Sequence, residues 1–142
     1  MRVSFLSFAA FVAGFMPAVA QQVHQMAENS VPVALVEVIR RQQNTEIHLE
    51  TQAALKNVCW TLQGPNSPYL VSESRRYRFI SGEQITYCPQ KRGYASHEIM
   101  VLRFEPLPTT VHEFSVGGEN QMADPASHRN ETFWNFLRVK TN

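Results

Sequence analysis

The sequence predicts an all-β protein, an antiparallel β-sandwich that is immunoglobulin-like in the broad sense, with about seven or eight strands and one disulfide. Three observations lead to this prediction. Short segments alternate apolar and polar residues with a period of two, clusters of Gly, Pro, Asn and Ser separate them, and the chain after residue 20 has no convincing amphipathic helix.

The N-terminus predicts a secretory signal peptide over residues 1–20. Arg2 is followed by an apolar run from Phe5 to Met16 and then by Pro17 and Ala-Val-Ala, which is typical of a cleavable leader. The apolar run is shorter than the roughly 20 residues of a membrane-spanning helix, although an uncleaved anchor stays an alternative. We therefore expect cleavage after Ala20 and a periplasmic or extracellular protein, without an integral membrane segment once the leader is removed.

The charge balance of the rest of the chain argues against two classes of partner. The chain has 13 Lys and Arg and 12 Asp and Glu, and Arg2 is the only charged residue of the first twenty, so the part after Ala20 carries 12 of each sign. A neutral chain lacks the basic excess that nucleic acids and anionic membrane surfaces attract. We expect neither as a partner.

Residues 21–30 have no hydrophobic period and predict a flexible lead-in, and residues 31–142 predict a single β-sandwich domain. Thr45–Thr51 shows the clearest alternation, with Ile47 and Leu49 on one face. The eight predicted strands are 31–40, 45–51, 58–62, 75–80, 85–88, 97–105, 111–116 and 132–140.

The connections between these strands carry turn signals. The predicted turns or loops are 41–44, 64–68, 81–84 and 89–96. The polar segment Gly117–Glu131 is longer than an ordinary hairpin connection, so it is either functional or mobile, and Asn130-Glu131-Thr132 at its end matches a glycosylation sequon.

Cys59 and Cys88 are the two cysteines of the chain. Export to an oxidising compartment and an even count predict a structural Cys59–Cys88 disulfide, with free or intermolecular thiols as the alternatives. Trp60 next to Cys59 is consistent with a sandwich but does not specify its topology.

No motif of a known catalytic or cofactor site is present, so we expect no cofactor, no metal and no assigned catalytic residue. The chain has no nucleophile-elbow motif and no glycine-rich phosphate loop. Its five histidines lack a metal-ligand spacing, which argues against structural zinc. A carboxylate pair for hydrolysis leaves no sequence signature, and Glu98, Glu105 and Glu113 lie near one another along the chain.

One segment has the composition of a binding surface. Arginine and aromatic residues, which are enriched in interfaces, are concentrated on both sides of the turn at residues 64–68. The candidate binding patch comprises Trp60, Tyr69, Arg75, Arg76, Tyr77 and Arg78, and it would suit an acidic partner or a sugar. The alternative is that Tyr77 and Phe79 belong to the core and the arginines keep a sheet edge soluble.

The second half of the chain also resembles a known family. The segments PYLVSESRRYRFISGEQITYCPQ, IMVLRFEPLP, VHEFSVGGEN and FWNFLRV, between Pro68 and Val139, resemble extracytoplasmic bacterial accessory β-sandwich domains with an FEPLP-type strand end. Such domains occur alone or joined to thioredoxin-like or peptidase domains. This chain departs from them in its cysteine pair and in a long insertion after Glu119. The resemblance implies a non-catalytic binding or stabilising domain and carries over no catalytic residue.

These expectations lead to one main functional hypothesis and two alternatives. The main hypothesis is a non-enzymatic secreted or periplasmic domain that binds another protein or a cell-envelope component. The first alternative is a small hydrolase or carbohydrate-active protein that uses carboxylates such as Glu98 or Glu113. The second is a subunit of a surface fibre or secretion assembly, which an unpaired edge strand near the N-terminus would support.

Overall fold

The protein is described from a computed structural model, which covers residues 17–28, 31–64, 67–117 and 135–142. These residues form ten β-strands and no helix. The strands are β1 (Val19–Met26), β2 (Val33–Arg40), β3 (Thr45–Thr51), β4 (Leu55–Val58), β5 (Tyr69–Ser72), β6 (Arg75–Glu83), β7 (Arg92–Tyr94), β8 (Ile99–Phe104), β9 (Glu113–Gly117) and β10 (Phe136–Lys140).

Eight strands make one antiparallel sheet in the order β1-β2-β3-β8-β6-β5-β9-β10, while β4 and β7 make a separate pair. Strand β6 joins the two halves of the large sheet. Its first half pairs with β5, its second half pairs with β8, and the register shifts between Phe79 and Ser81. The sheet thus folds over itself, and its two end strands β1 and β10 come back into contact. The predicted all-β, disulfide-bonded sandwich is confirmed, in a form that is nearly a closed barrel.

The alternating residues of the strands fill the space between the two halves. On β8, Met100, Leu102 and Phe104 are buried, as the alternation predicts, and Ile47 and Leu49 of β3 lie against the same core. The largest fully buried side chains include Trp60, Phe104, Phe114 and Phe136. Sequence periodicity therefore identified the core-facing sides of β3 and β8 correctly, but Glu46 and Val101 on the opposite sides are buried as well.

The disulfide between Cys59 and Cys88 is present, and their Cα atoms are 5.0 Å apart. Between them, the backbone of Trp60 is fixed by two hydrogen bonds, one donated to the Thr86 carbonyl and one accepted from the Cys88 amide. A cross-link closing a loop of this length stabilises by about 3–4 kcal/mol in the loop-entropy account. It holds the segment that carries the buried Trp60 against residues 86–88.

The FEPLP strand end, residues 104–108, connects three parts of the fold. The Leu107 amide donates to the Thr45 hydroxyl over 2.9 Å, and the Glu105 amide donates to the Arg78 carbonyl over 2.9 Å. The guanidinium of Arg40 donates to the Pro108 and Val111 carbonyls and, over 3.2 Å, to the Thr141 hydroxyl. The motif thus ends β8 and ties the following loop to β2 and to the C-terminus.

Several local predictions were wrong. The predicted flexible lead-in is, over Gln21–Met26, part of strand β1, because its backbone pairs with β2 although its side chains carry little hydrophobic signal. The predicted cleavage position after Ala20 falls between the second and third residues of β1.

Other boundaries also moved. The predicted strands 58–62 and 85–88 are absent, apart from Val58 at the end of β4, and the two segments meet through a single bridge, Trp60 to Tyr87, beside the disulfide. The predicted turn 81–84 continues β6 as far as Glu83, and the predicted loop 89–96 contains β7. The long segment Gly117–Glu131 and its sequon lie outside the described residues, except for Gly117 at the end of β9.

Candidate functional site

The β5–β6 hairpin carries most of the predicted binding patch. Its turn residues Glu73 and Ser74 both have positive φ, 50° and 68°, which is the conformation of a two-residue type I′ turn. This turn sets the register that places Tyr69 opposite Arg78 and Val71 opposite Arg76. Side chains on one face of the hairpin therefore lie side by side.

Three of the predicted residues, Tyr69, Arg76 and Arg78, line one cavity of about 630 Å³. We call it the arginine–tyrosine cavity. The guanidinium carbon of Arg76 lies 4.3 Å from the centre of the Tyr69 ring, within the range of a cation–π contact. The other lining residues are Leu62, Gln63, Gly64, Ser67, Pro68, Phe79 and Ile80.

The remaining three residues of the predicted patch lie elsewhere, which corrects the prediction. Trp60 is 1% exposed and Tyr77 is 3% exposed, so both belong to the core and cannot meet a partner. Arg75 is exposed but does not line the cavity; its guanidinium covers the Tyr77 ring at 5.1 Å. The alternative interpretation of Tyr77 and Phe79 as core residues is confirmed.

Sequence reasoning missed the apolar walls of the cavity. Leu62 and Ile80 are both exposed large hydrophobic residues. Ile80 could have been found, because it follows Arg76 and Arg78 at the period of two that places all three on the same face of β6. Leu62 carries no such signal, since it lies between strands.

The two cavity arginines differ in their partners. Arg78 pairs with Glu105: its Nε lies 3.3 Å and its backbone amide 2.8 Å from the same carboxylate oxygen. The backbone hydrogen bond from Arg78 is the main cause that lowers the pKa of Glu105, and partial burial opposes it. Arg76 has no carboxylate partner among the residues that the structure describes. Its guanidinium is stacked on Tyr69 and keeps N–H donors for a ligand.

A second polar cluster lies on the outer face of β3 and β8, and we call it the Glu46 network. Glu46 is only 5% exposed, and its carboxylate contacts Arg103 Nε at 3.0 Å, Arg41 Nη2 at 3.2 Å and His48 Nε2 at 3.3 Å. Arg103 also contacts Glu83 at 2.6 Å. Every charge of this network therefore has an opposite charge within the fold, which suits a structural role.

The carboxylates considered for hydrolysis do not share a cavity. Glu98 lies just before β8 and contacts Arg92 of β7 at 3.8 Å. Glu113 begins β9 and lines, with Glu73, a shallow cavity of about 480 Å³ that does not include Glu98. Glu105 is engaged by Arg78.

Metal ligands show no grouping either. Within ranges 17–28, 31–64, 67–117 and 135–142, no three His, Cys, Asp or Glu side chains are arranged to hold a metal ion. His128 lies outside these ranges.

No family model, curated protein or solved structure matches the chain. The resemblance of residues 68–139 to accessory β-sandwich domains therefore stays a prediction. Among the described residues, no helix has the length and hydrophobicity that crossing a membrane requires.

Proposed function

We propose that the protein is a non-enzymatic secreted or periplasmic β-sandwich that binds another protein or a cell-envelope component through the arginine–tyrosine cavity. The single observation that carries the proposal is Arg76, an exposed arginine stacked on Tyr69 without a carboxylate partner in the described chain. The leader-like N-terminus supports export, and the Cys59–Cys88 disulfide is compatible with it.

The chemistry of the cavity favours a partner group that combines a carboxylate with an apolar part. A guanidinium that lies over an aromatic ring keeps N–H groups that can donate to a carboxylate. Exposed Leu62 and Ile80 supply apolar surface next to those groups. An acidic segment of a protein, with an apolar residue beside the acid, would satisfy both halves of the cavity.

Site-specific photo-crosslinking of the exported protein in intact cells tests this proposal. A photo-reactive residue at Ile80, which lines the cavity, is compared with one at Leu137 of β10; the two positions are 46% and 49% exposed. We expect a discrete adduct of a second component from Ile80 but not from Leu137. The same adduct from both positions would contradict the proposal.

A charge reversal at adjacent positions supplies the matched control. Arg76→Glu places a negative charge in the cavity, whereas Arg75→Glu makes the same change next to it, outside the lining. We expect Arg76→Glu to reduce the Ile80 adduct at least tenfold, about 1.4 kcal/mol, and Arg75→Glu to leave most of it. Equal losses in the two variants would show that general charge, not the cavity, determines binding.

A further inference from the structure

Strand β1 is held by less apolar contact than any other strand. Among the ten strands of the described ranges, β1 alone contains no buried residue. Val23 is its one side chain that packs, partly buried, against the core. Detaching Val19–Met26 would therefore cost their backbone pairs with β2 but little hydrophobic burial within the strand itself; the buried residue Ala27 follows directly after it.

The other edge of β1 is joined to β10 chiefly by glutamine side chains. Gln25 Nε2 donates to the Leu137 carbonyl over 2.6 Å, and Gln21 Oε1 accepts from the Asn142 amide over 2.7 Å. No ladder of backbone pairs between β1 and β10 is present in the described residues, although Glu28 donates to the Asn135 carbonyl just beyond the strand, over 2.9 Å. The contact between β1 and the C-terminal segment thus consists of individual hydrogen bonds, which can break independently of one another.

We propose that β1 exchanges between two copies of the chain, so that each β1 pairs with β2 of the other copy in a strand-swapped dimer. Departure of β1 leaves an unpaired β2 edge, which is a template for another strand. Pairing with β2 requires a register shift between Gln22 and Gln25. A second copy of β1 fits that register by identity, whereas any other extended peptide would have to match it by chance.

Two features of the chain make the exchange feasible. Six residues connect Met26 to Val33, a length that spans up to about 20 Å when extended. The sequence predicts cleavage after Ala20. Cleavage there would remove the pairs of Val19 with Arg40 and of Ala20 with Ile39, so that fewer residues of β1 would pair with β2.

Mixing two variants of the protein, each with one added cysteine, tests the exchange directly. Gln22 of β1 and Glu37 of β2 are opposite partners, a separation that a disulfide can bridge. When Gln22→Cys protein and Glu37→Cys protein are mixed and oxidised, β1 of one copy lying on β2 of the other brings the two new thiols together, so exchange raises the yield of the cross-link between copies above that of random encounters. The product is identified by peptide mapping with the native disulfide intact.

A collision control determines how the result is interpreted. Lys56 is exposed on β4 and has no β1 partner, so Gln22→Cys mixed with Lys56→Cys measures random encounters. We expect the Gln22–Glu37 combination to give at least ten times more cross-linked dimer than this control. Equal yields would overturn the proposal.

A locked variant checks the same inference without depending on yield. The double variant Gln22→Cys, Glu37→Cys, oxidised while dilute, ties β1 to its own β2. We expect the unmodified protein to form a dimer on concentration and the locked protein to stay monomeric in light scattering. A locked protein that dimerises as much as the unmodified protein would overturn the proposal. Elution of the dilute locked protein as a monomer, with the β-type circular dichroism spectrum of the unmodified protein, shows that the two substitutions are tolerated.

Discussion

The outer faces of two parts of the sheet both carry arginines, but the arginines have different surroundings. On β3 and β8, Arg103 lies between Glu46 and Glu83, and Arg41 shares the Glu46 carboxylate. On β6, three arginines, Arg75, Arg76 and Arg78, have only one carboxylate partner in the described chain, Glu105. The first group has two carboxylates for its two arginines, and the second has one carboxylate for three arginines.

This difference separates charges that support the fold from charges that a ligand can use. A carboxylate that is removed from water is tolerated when cations and hydrogen-bond donors surround it, as they surround Glu46. An exposed guanidinium needs no such compensation, because water solvates it at little cost. The β6 arginines can therefore be changed at little cost to the stability of the fold, whereas a change at buried Glu46 should cost more.

The largest expected effect is the loss of Glu46. Glu46→Ala removes the carboxylate that Arg103 and Arg41 share, and we expect it to lower the free energy of unfolding by about 2 kcal/mol. The lost hydrogen bonds are to a charged group, but both arginines keep some water and are not left as buried charges. The matched control is Glu83→Ala, since the Glu83 side chain is 61% exposed and its pair with Arg103 should contribute less than about 1 kcal/mol. Urea unfolding measures both; similar losses would contradict the comparison of a buried and an exposed partner.

The same carboxylate predicts a pH dependence of stability. Burial alone would raise the pKa of Glu46, but hydrogen bonds with His48 and Arg41 and the charges of His48 and Arg103 outweigh it, so the pKa lies below the ordinary 4.5. A lowered folded-state pKa means that the stabilisation is present above pH 4.5 and is lost as the pH falls through the lower folded value. We expect the stability gap between the unmodified protein and Glu46→Gln to narrow below pH 4.5 in urea unfolding curves. If the difference in free energy of unfolding between the two proteins stayed constant to about 1.5 pH units below 4.5, the charge of Glu46 would not contribute to stability.

The sequence predicts a structural feature well when the feature depends on residues that are close together along the chain. The alternation in 45–51 and the apolar run of 97–105 determine which side chains of β3 and β8 are buried, so both strands were predicted well. The cysteine pair was predicted from count and compartment. The β5–β6 turn has no glycine or asparagine at Glu73 and Ser74, so turn chemistry gave no signal for that hairpin.

The features that sequence reasoning missed arise from contacts between distant parts of the chain. Strand β1 has a polar sequence and exists because β2 offers it an edge. Trp60 lies near the arginines in sequence, yet the disulfide region carries it into the core, and the patch therefore loses a residue that composition had assigned to it. Arg103 and Glu46 are 57 residues apart, and only the pairing of β3 with β8 brings them together.

Arg76→Ala is also expected to have a small effect on stability, and it tests directly whether the β6 arginines support the fold. The side chain loses its stacking on Tyr69, an exposed cation–π contact that contributes about 0.5–1 kcal/mol, and no buried charge is left behind. We therefore expect the free energy of unfolding to change by no more than about 1 kcal/mol, well below the effect of Arg103→Ala, which leaves buried Glu46 with fewer cations. Urea unfolding of the two variants side by side measures the difference. If Arg76→Ala were as destabilising as Arg103→Ala, the β6 arginines would be part of the framework of the fold and would not be available to a partner.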